Sequence, residues 1–112
     1  MRVKFTNLYK LVPEKKKITK KINYLIKNSK FVGGEYLENF EKNFSNYIGS
    51  KYAVSVTSGS TALHLTIAAL ELPKGSEILV SSTTNIASAL AITHNNCIPV
   101  PIDSKIDTWN ID

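Results

Sequence analysis

The stretch Val56–Leu65, VTSGSTALHL, decides the fold because a strand pattern meets a helix pattern within it. Tyr52–Val56 (YAVSV) alternates apolar and other residues, which predicts a short strand. Ser60–Leu70 (STALHLTIAAL) has the composition of a helix. The junction between them concentrates hydroxyl side chains around one glycine, in the order Thr57, Ser58, Gly59, Ser60, Thr61. The question is why one strand-to-helix junction carries so many hydroxyl groups.

Strands continue to alternate with helices downstream of this junction. The predicted elements are a turn at Pro73–Glu77, a strand at Glu77–Ser81, a helix at Thr83–His94 and a strand at Ile98–Ile102. Such alternation favours an α/β fold with a mainly parallel sheet. Ile86 and Leu90 share one predicted face of the second helix. Because Pro99 and Pro101 lack an N–H group, the last strand is predicted to be short or to lie at an edge.

The first 50 residues have a different character and are predicted to form a helical arm, followed by the α/β region at residues 51–112. Two amphipathic helices are predicted in the arm, one opened by Pro13 and Glu14 and one ended by Gly49. Residues 1–30 carry ten Lys or Arg and one acid. We interpret these lysines as a solvated helix face and predict no nucleic-acid partner, because arginines and interleaved aromatic residues are lacking.

The bulk composition is that of an ordinary soluble domain. The chain has 112 residues, of which 43% are hydrophobic and 21% charged. No apolar run approaches the roughly 20 residues that cross a bilayer, so no membrane association is predicted. Cys97 is the one cysteine, which excludes an internal disulfide and fits the cytoplasm. No metal site is predicted.

The hydroxyl-rich junction has the chemistry of an anion site. The first turn of a helix leaves backbone N–H groups unpaired and carries positive partial charge, and glycine lets a ligand approach them. A second junction, Ser81–Asn85 (SSTTN), repeats the pattern before the next helix. Two alternatives stay open: a phosphate site, or simple capping of the helix by Ser or Thr. A P-loop and a dinucleotide-binding turn are disfavoured, because no lysine follows and only one glycine is present.

Three segments together resemble the opening part of the DegT/StrS-type sugar aminotransferases. They are GGEYLENFEKNFSNYIGSKYAVSVTSGSTALHL (Gly33–Leu65), PKGSEILVSSTTNIASALAI (Pro73–Ile92) and IPVPIDSKIDTWNID (Ile98–Asp112). These are pyridoxal 5′-phosphate (PLP) enzymes of the aspartate aminotransferase fold. The resemblance implies the N-terminal portion of a fold type I large domain, incomplete at this length.

The resemblance also implies a cofactor site. Ser58, Gly59 and Ser60 lie where the family holds the PLP phosphate, through the N–H groups of Gly59 and Ser60 and the Ser60 hydroxyl. Ser60 replaces the usual threonine. Asn85 stands where the family usually has an aromatic residue stacked on the cofactor ring, so it would offer a different polar surface. The alternative for Asn85 is a helix N-cap.

The implied reaction transfers an amino group from an amino acid to a nucleotide-linked keto-sugar, for amino-sugar or polysaccharide biosynthesis, in a homodimer. The Schiff-base lysine and the acid that pairs with the pyridine nitrogen lie in a later part of such enzymes. Lys51, Lys74 and Lys105 do not match the context of that lysine. The chain is therefore expected to be a fragment that is inactive by itself and has no catalytic residue. Two alternatives remain, a PLP-dependent sugar dehydratase of the same fold and a non-catalytic remnant.

Overall fold

The computed structural model describes residues 6–112, which form two compact units that divide between Val54 and Ser55. The first unit is helical, and the second contains both helices and strands. The division lies close to the boundary predicted after residue 50. The assignment of residues 1–50 as an arm and of residues 51–112 as part of a larger domain stays a prediction.

The first unit contains three helices, α1 (Leu8–Leu11), α2 (Lys15–Lys27) and α3 (Glu35–Ile48). α2 begins directly after Glu14, whose carboxylate lies 3.0 Å from the Lys17 ammonium. α3 ends at Gly49, which has φ 73° and donates its N–H to the Ser45 carbonyl. A left-handed residue after a helix favours glycine, so the predicted stop is confirmed.

The lysines of α2 contact aromatic rings as well as solvent. The Lys15 ammonium lies 4.2 Å from the centroid of the Tyr9 ring, and the Lys21 ammonium lies 5.0 Å from that of Tyr36. Exposed cation–π contacts contribute about 0.5–1 kcal/mol each. These contacts are a feature that the lysine count did not predict. Within residues 6–112, no helix combines the length and the apolar character that a bilayer crossing requires.

The second unit contains a parallel pair of strands with two helices. Its elements are α4 (Gly59–Ala69), β1 (Glu77–Ser81), α5 (Ile86–His94) and β2 (Ile98–Ile102). β1 and β2 are parallel, with Glu77 opposite Ile98 and Ser81 opposite Ile102. α5 connects them and packs against both strands, and α4 packs against α5. The predicted helices, both downstream strands and the parallel pairing are confirmed.

The predicted strand at Tyr52–Val56 is wrong for the described part of the chain. The sheet there has two strands, β1 and β2, and residues 52–56 pair with neither. Tyr52 is 73% exposed and Val54 is 80% exposed. Alternation of apolar and other residues indicates side chains that suit a pleated strand. A strand also needs a neighbouring strand that completes its backbone hydrogen bonds.

The core of the second unit is small and is centred on the end of α5. Ala91, Ile92 and Cys97 are buried. Ile86 and Leu90, the predicted face of α5, are exposed instead. The buried face is rotated from the predicted one because α5 must meet α4 and both strands at the same time.

A side-chain amide links α4 to the end of α5. The Nδ2 atom of Asn95 donates to the Ala91 carbonyl at 2.8 Å and to the His64 carbonyl at 3.1 Å. The same nitrogen lies 3.1 Å from Nδ1 of His64. These bonds join the two helices by a polar contact in a half-buried position, where an unmade hydrogen bond is costly.

Candidate functional site

The first turn of α4 is capped by Ser58. Its backbone is extended, with φ −161° and ψ 163°, and its Oγ accepts the Thr61 N–H at 3.1 Å. The Ser58 carbonyl accepts the Ala62 N–H at 3.0 Å. The capping interpretation is therefore correct for Ser58, and the N–H groups of Thr61 and Ala62 both have acceptors.

The hydroxyl groups on either side of the cap bond to one another. Oγ1 of Thr61 lies 2.9 Å from Oγ of Ser58 and 3.2 Å from Oγ1 of Thr57. Three of the hydroxyl groups that the sequence places at this junction are thus used to shape the turn. Ser60 is outside this cluster.

The remaining donors at the junction are those of Gly59 and Ser60. Among residues 6–112, no hydrogen bond engages either backbone N–H or the Ser60 hydroxyl, and both residues are exposed. A Cβ built on Gly59 meets no atom within 4 Å, and the φ angle of Gly59 is not positive. Neither backbone conformation nor packing in the described residues requires this glycine, and it leaves the two N–H groups open to a ligand.

These groups suit a phosphate. Two backbone N–H groups and one hydroxyl belong to the first turn of α4, at the positive end of its dipole, and hydrogen bonds to an ionised acceptor are the stronger kind. The donors predicted to hold the cofactor phosphate are the same three that have no partner among residues 6–112. The residues present therefore fit a phosphate ester, and their contact with PLP remains a prediction.

At the second junction, Ser81–Asn85, the described contact of Asn85 stabilises the start of a helix. Oδ1 of Asn85 accepts the Ala87 N–H at 2.9 Å, so Asn85 is the N-cap of α5. This is the alternative that the sequence left open. Its Nδ2 hydrogens stay available as donors, and contact between Asn85 and a cofactor ring stays a prediction.

Three hydroxyl groups meet where the two strands end. Ser81, Thr83 and Ser104 lie 2.9–3.0 Å apart through their side-chain oxygens. An open pocket of about 550 Å³ is lined by Ser81 and Thr83 of this cluster and by Trp109. Sequence reasoning missed Ser104, although its position two residues after β2 was a usable signal, since parallel strands end at one edge. This cluster of three hydroxyl groups joins the carboxyl ends of β1 and β2.

We expect Asn85→Phe to lower the free energy of unfolding by about 1 kcal/mol, because phenylalanine has no oxygen to accept the Ala87 N–H. Asn85→Asp is the matched control, since it keeps an acceptor at the same position and should retain the stability. Urea denaturation followed by far-UV circular dichroism measures both. Equal stability of the Phe variant and the unchanged protein would show that the cap is dispensable.

Residues 13–112 match the sequence pattern of the DegT/DnrJ/EryC1/StrS aminotransferase family. The chain belongs to this family. The predicted membership is thus confirmed over nearly the whole sequence. A similar protein is the dTDP-3-amino-3,6-dideoxy-alpha-D-galactopyranose transaminase of Aneurinibacillus thermoaerophilus, which is 38% identical over 97 residues. That alignment covers 87% of this chain and 27% of the relative.

A second relative in the family is the GDP-perosamine synthase of Caulobacter vibrioides, with 40% identity over 79 residues. Those residues are 70% of this chain and 21% of the relative. The chain therefore spans about a quarter of the length of the curated relatives that it matches.

Solved structures confirm the predicted fold. DesV of S. venezuelae, in complex with a ketimine intermediate, is 34% identical and superposes with a TM-score of 0.87. The match covers 99% of this chain and 30% of DesV. The E. coli GDP-4-keto-6-deoxy-D-mannose-3-dehydratase with bound hydrated PLP is 37% identical, with a TM-score of 0.78, over 84% of this chain and 26% of that one.

Proposed function

We propose that this chain is the N-terminal part of a PLP-dependent aminotransferase that transfers an amino group from an amino acid to a nucleotide-linked keto-sugar. Family membership supports the reaction class, since the matched relatives include a dTDP-sugar transaminase and GDP-perosamine synthases. We further propose that the whole enzyme is a cytoplasmic homodimer. The lone Cys97 is consistent with that compartment.

The observation that carries the proposal is the set of free donors at the start of α4. The N–H groups of Gly59 and Ser60 and the Ser60 hydroxyl would hold the cofactor phosphate, while Ser58 and Thr61 keep the turn in shape. Asn85 would lie beside the cofactor ring, with its orientation set by the cap of α5. When bound, PLP supplies the electron sink through which an amino group is exchanged.

The role proposed for residues 1–112 themselves is to bind and orient the cofactor phosphate. The resemblance assigns the Schiff-base lysine to none of Lys51, Lys74 and Lys105, so we expect no transamination from this chain alone. A sugar dehydratase of the same fold is the second candidate, favoured by the similarity to the E. coli dehydratase. Both candidates use a phosphate site, so the donors at Gly59 and Ser60 are common to them.

Binding of pyridoxamine 5′-phosphate tests the proposal directly. This form of the cofactor has no aldehyde, so the many lysines of the chain cannot trap it. Nitrogen–proton NMR spectra should show the largest shifts at the Gly59 and Ser60 amides, and pyridoxamine without phosphate should produce none. Ser60→Ala should weaken binding several-fold through the lost hydroxyl.

Ser76→Ala is the matched control for this experiment. The Ser76 hydroxyl donates to the Pro73 carbonyl in a turn and has no part in the proposed site. Its replacement should leave ligand binding unchanged. If pyridoxamine 5′-phosphate shifts no amide at Gly59 or Ser60, the result would favour the alternative hypothesis of a non-catalytic remnant.

A further inference from the structure

A side-chain amide and an imidazole ring meet between α4 and α5, at Asn95 and His64. We propose that this contact is pH-sensitive: it joins the two helices while His64 is neutral and is lost when His64 is protonated. Both partners belong to the second unit, and the inference is independent of the proposed enzymatic function.

Two carbonyl groups determine the orientation of the Asn95 amide. Nδ2 of Asn95 lies 2.8 Å from the Ala91 carbonyl oxygen and 3.1 Å from the His64 carbonyl oxygen. Carbonyl oxygens only accept hydrogen bonds, so the NH₂ group and not Oδ1 must face them. The Ala91 carbonyl is among the last four of α5, which lack an N–H partner in a regular helix. The amide therefore supplies a donor at the end of α5.

The orientation of the amide determines the protonation state of the His64 ring. Nδ2 of Asn95 also lies 3.1 Å from Nδ1 of His64. An amide NH₂ group donates hydrogen bonds and accepts none, so Nδ1 is the acceptor in this contact. A ring nitrogen of histidine accepts only when it carries no proton. His64 is therefore neutral in this arrangement, with its hydrogen on Nε2.

Protonation of His64 is incompatible with these hydrogen bonds. Nδ1 would then direct a hydrogen at the NH₂ group of Asn95, and two donors would face each other. If the amide turned to present Oδ1 to the ring, the carbonyls of Ala91 and His64 would lose their donor. Asn95 and His64 are both half-buried, where a lost hydrogen bond is costly.

Neither helix offers a carboxylate that would stabilise a protonated His64. α4 and α5 contain no Asp, Glu, Lys or Arg, and His94 is the one other titratable residue on them. The centroids of the two histidine rings are 6.2 Å apart, and His94 is exposed. Within the described residues, neither histidine takes part in an ion pair. Protonation of both would place two like charges close together, which opposes the contact further.

The sign of the pH effect follows from which state of the chain binds the proton. In the unfolded chain a histidine is protonated below about pH 6.5, whereas the folded contact requires a neutral His64. Because the unfolded state then binds more protons, the stability decreases as the pH is lowered. Between about pH 8 and about pH 5.5, the equilibrium constant for unfolding should rise by up to about tenfold.

His64→Asn tests this contact in the 112-residue chain. The Oδ1 atom of asparagine can accept from Asn95 in place of Nδ1 and cannot be protonated, so most of the tenfold effect should disappear. His94→Gln is the matched control, which removes the exposed histidine and should retain most of the effect. Urea denaturation followed by far-UV circular dichroism at both pH values measures all three proteins. The carboxylates are common to the three proteins, so their titration cancels in the comparison.

The NMR signals of the Asn95 side-chain amide provide a second readout that reports on the contact itself. They should shift together with the His64 ring signals as the pH is lowered, and in the His64→Asn variant they should stay in place. Amide signals that do not follow the His64 ring would overturn the proposal. An equal pH dependence of stability in His64→Asn and the unchanged chain would also overturn it, as would its loss in His94→Gln.

Discussion

We expect Gly59→Pro to abolish most phosphate binding while α4 stays folded. Proline is favoured at the first position of a helix, and it requires the preceding residue to be extended. Ser58 is extended, and Gly59 is the first residue of α4. The N–H that proline removes has no partner among residues 6–112, so the helix loses no hydrogen bond. The variant should be as stable as the unchanged chain or slightly more so.

The effect on binding should be large because a hydrogen bond to a charged acceptor is lost. Such a bond contributes about 1.5–3 kcal/mol, which corresponds to a loss of affinity of about tenfold or more. Titration with pyridoxamine 5′-phosphate measures the affinity, and urea denaturation measures the stability. Gly59→Ala is the matched control, since it retains the N–H and its Cβ meets no atom within 4 Å. Equal affinity of the proline variant and the unchanged chain would exclude the Gly59 N–H as a phosphate ligand.

The second large effect is expected at the centre of the small core. Ile92 is 3% exposed at the end of α5, and replacement by alanine leaves a cavity where α5 packs. Ile92→Ala should lower the free energy of unfolding by about 2–4 kcal/mol. A small domain is stable by about 5–15 kcal/mol, so this is a large share of the total. Far-UV circular dichroism in urea should show a clearly lower midpoint.

Ile86→Ala provides the matched control on the same helix. Ile86 is 69% exposed, so the same change of side chain should alter the stability by no more than about 0.5 kcal/mol. The difference between the two variants separates burial from helix propensity. Comparable losses at both positions would show that the core is not centred at Ile92.

Elements held by local chemistry could be predicted from the sequence. The end of α3 at Gly49 follows from the left-handed backbone that glycine tolerates, and the turn before β1 uses Gly75 at φ 85°. Glu77–Ser81 and Ile98–Ile102 were predicted as strands and are paired in the structure. At Gly49 and Gly75 the determining interaction lies within one turn, whereas the two strands were predicted from residue types and each is completed by pairing with the other.

Elements that depend on distant partners could not be predicted in the same way. Tyr52–Val56 has the residues of a strand but pairs with neither strand of the described sheet. Ser104 joins Ser81 and Thr83 from more than 20 residues away, so the contact depends on the pairing of β1 with β2 and not on a local pattern alone. The face of α5 that is buried, with Ala91 and Ile92, depends on where α4 and the strands lie.

The sequence by itself determined the family, the order of the elements and the position of the hydroxyl-rich turn, because these depend on residue types in a fixed order. Only the tertiary structure decided which polar groups of that turn cap the helix and which of them remain available to a ligand. Ser58 and Thr61 complete the cap, and the donors of Gly59 and Ser60 remain open. It also showed that Asn85 is the N-cap of α5. The physical reason is that a polar group's role depends on which partners reach it, and folding brings those partners together.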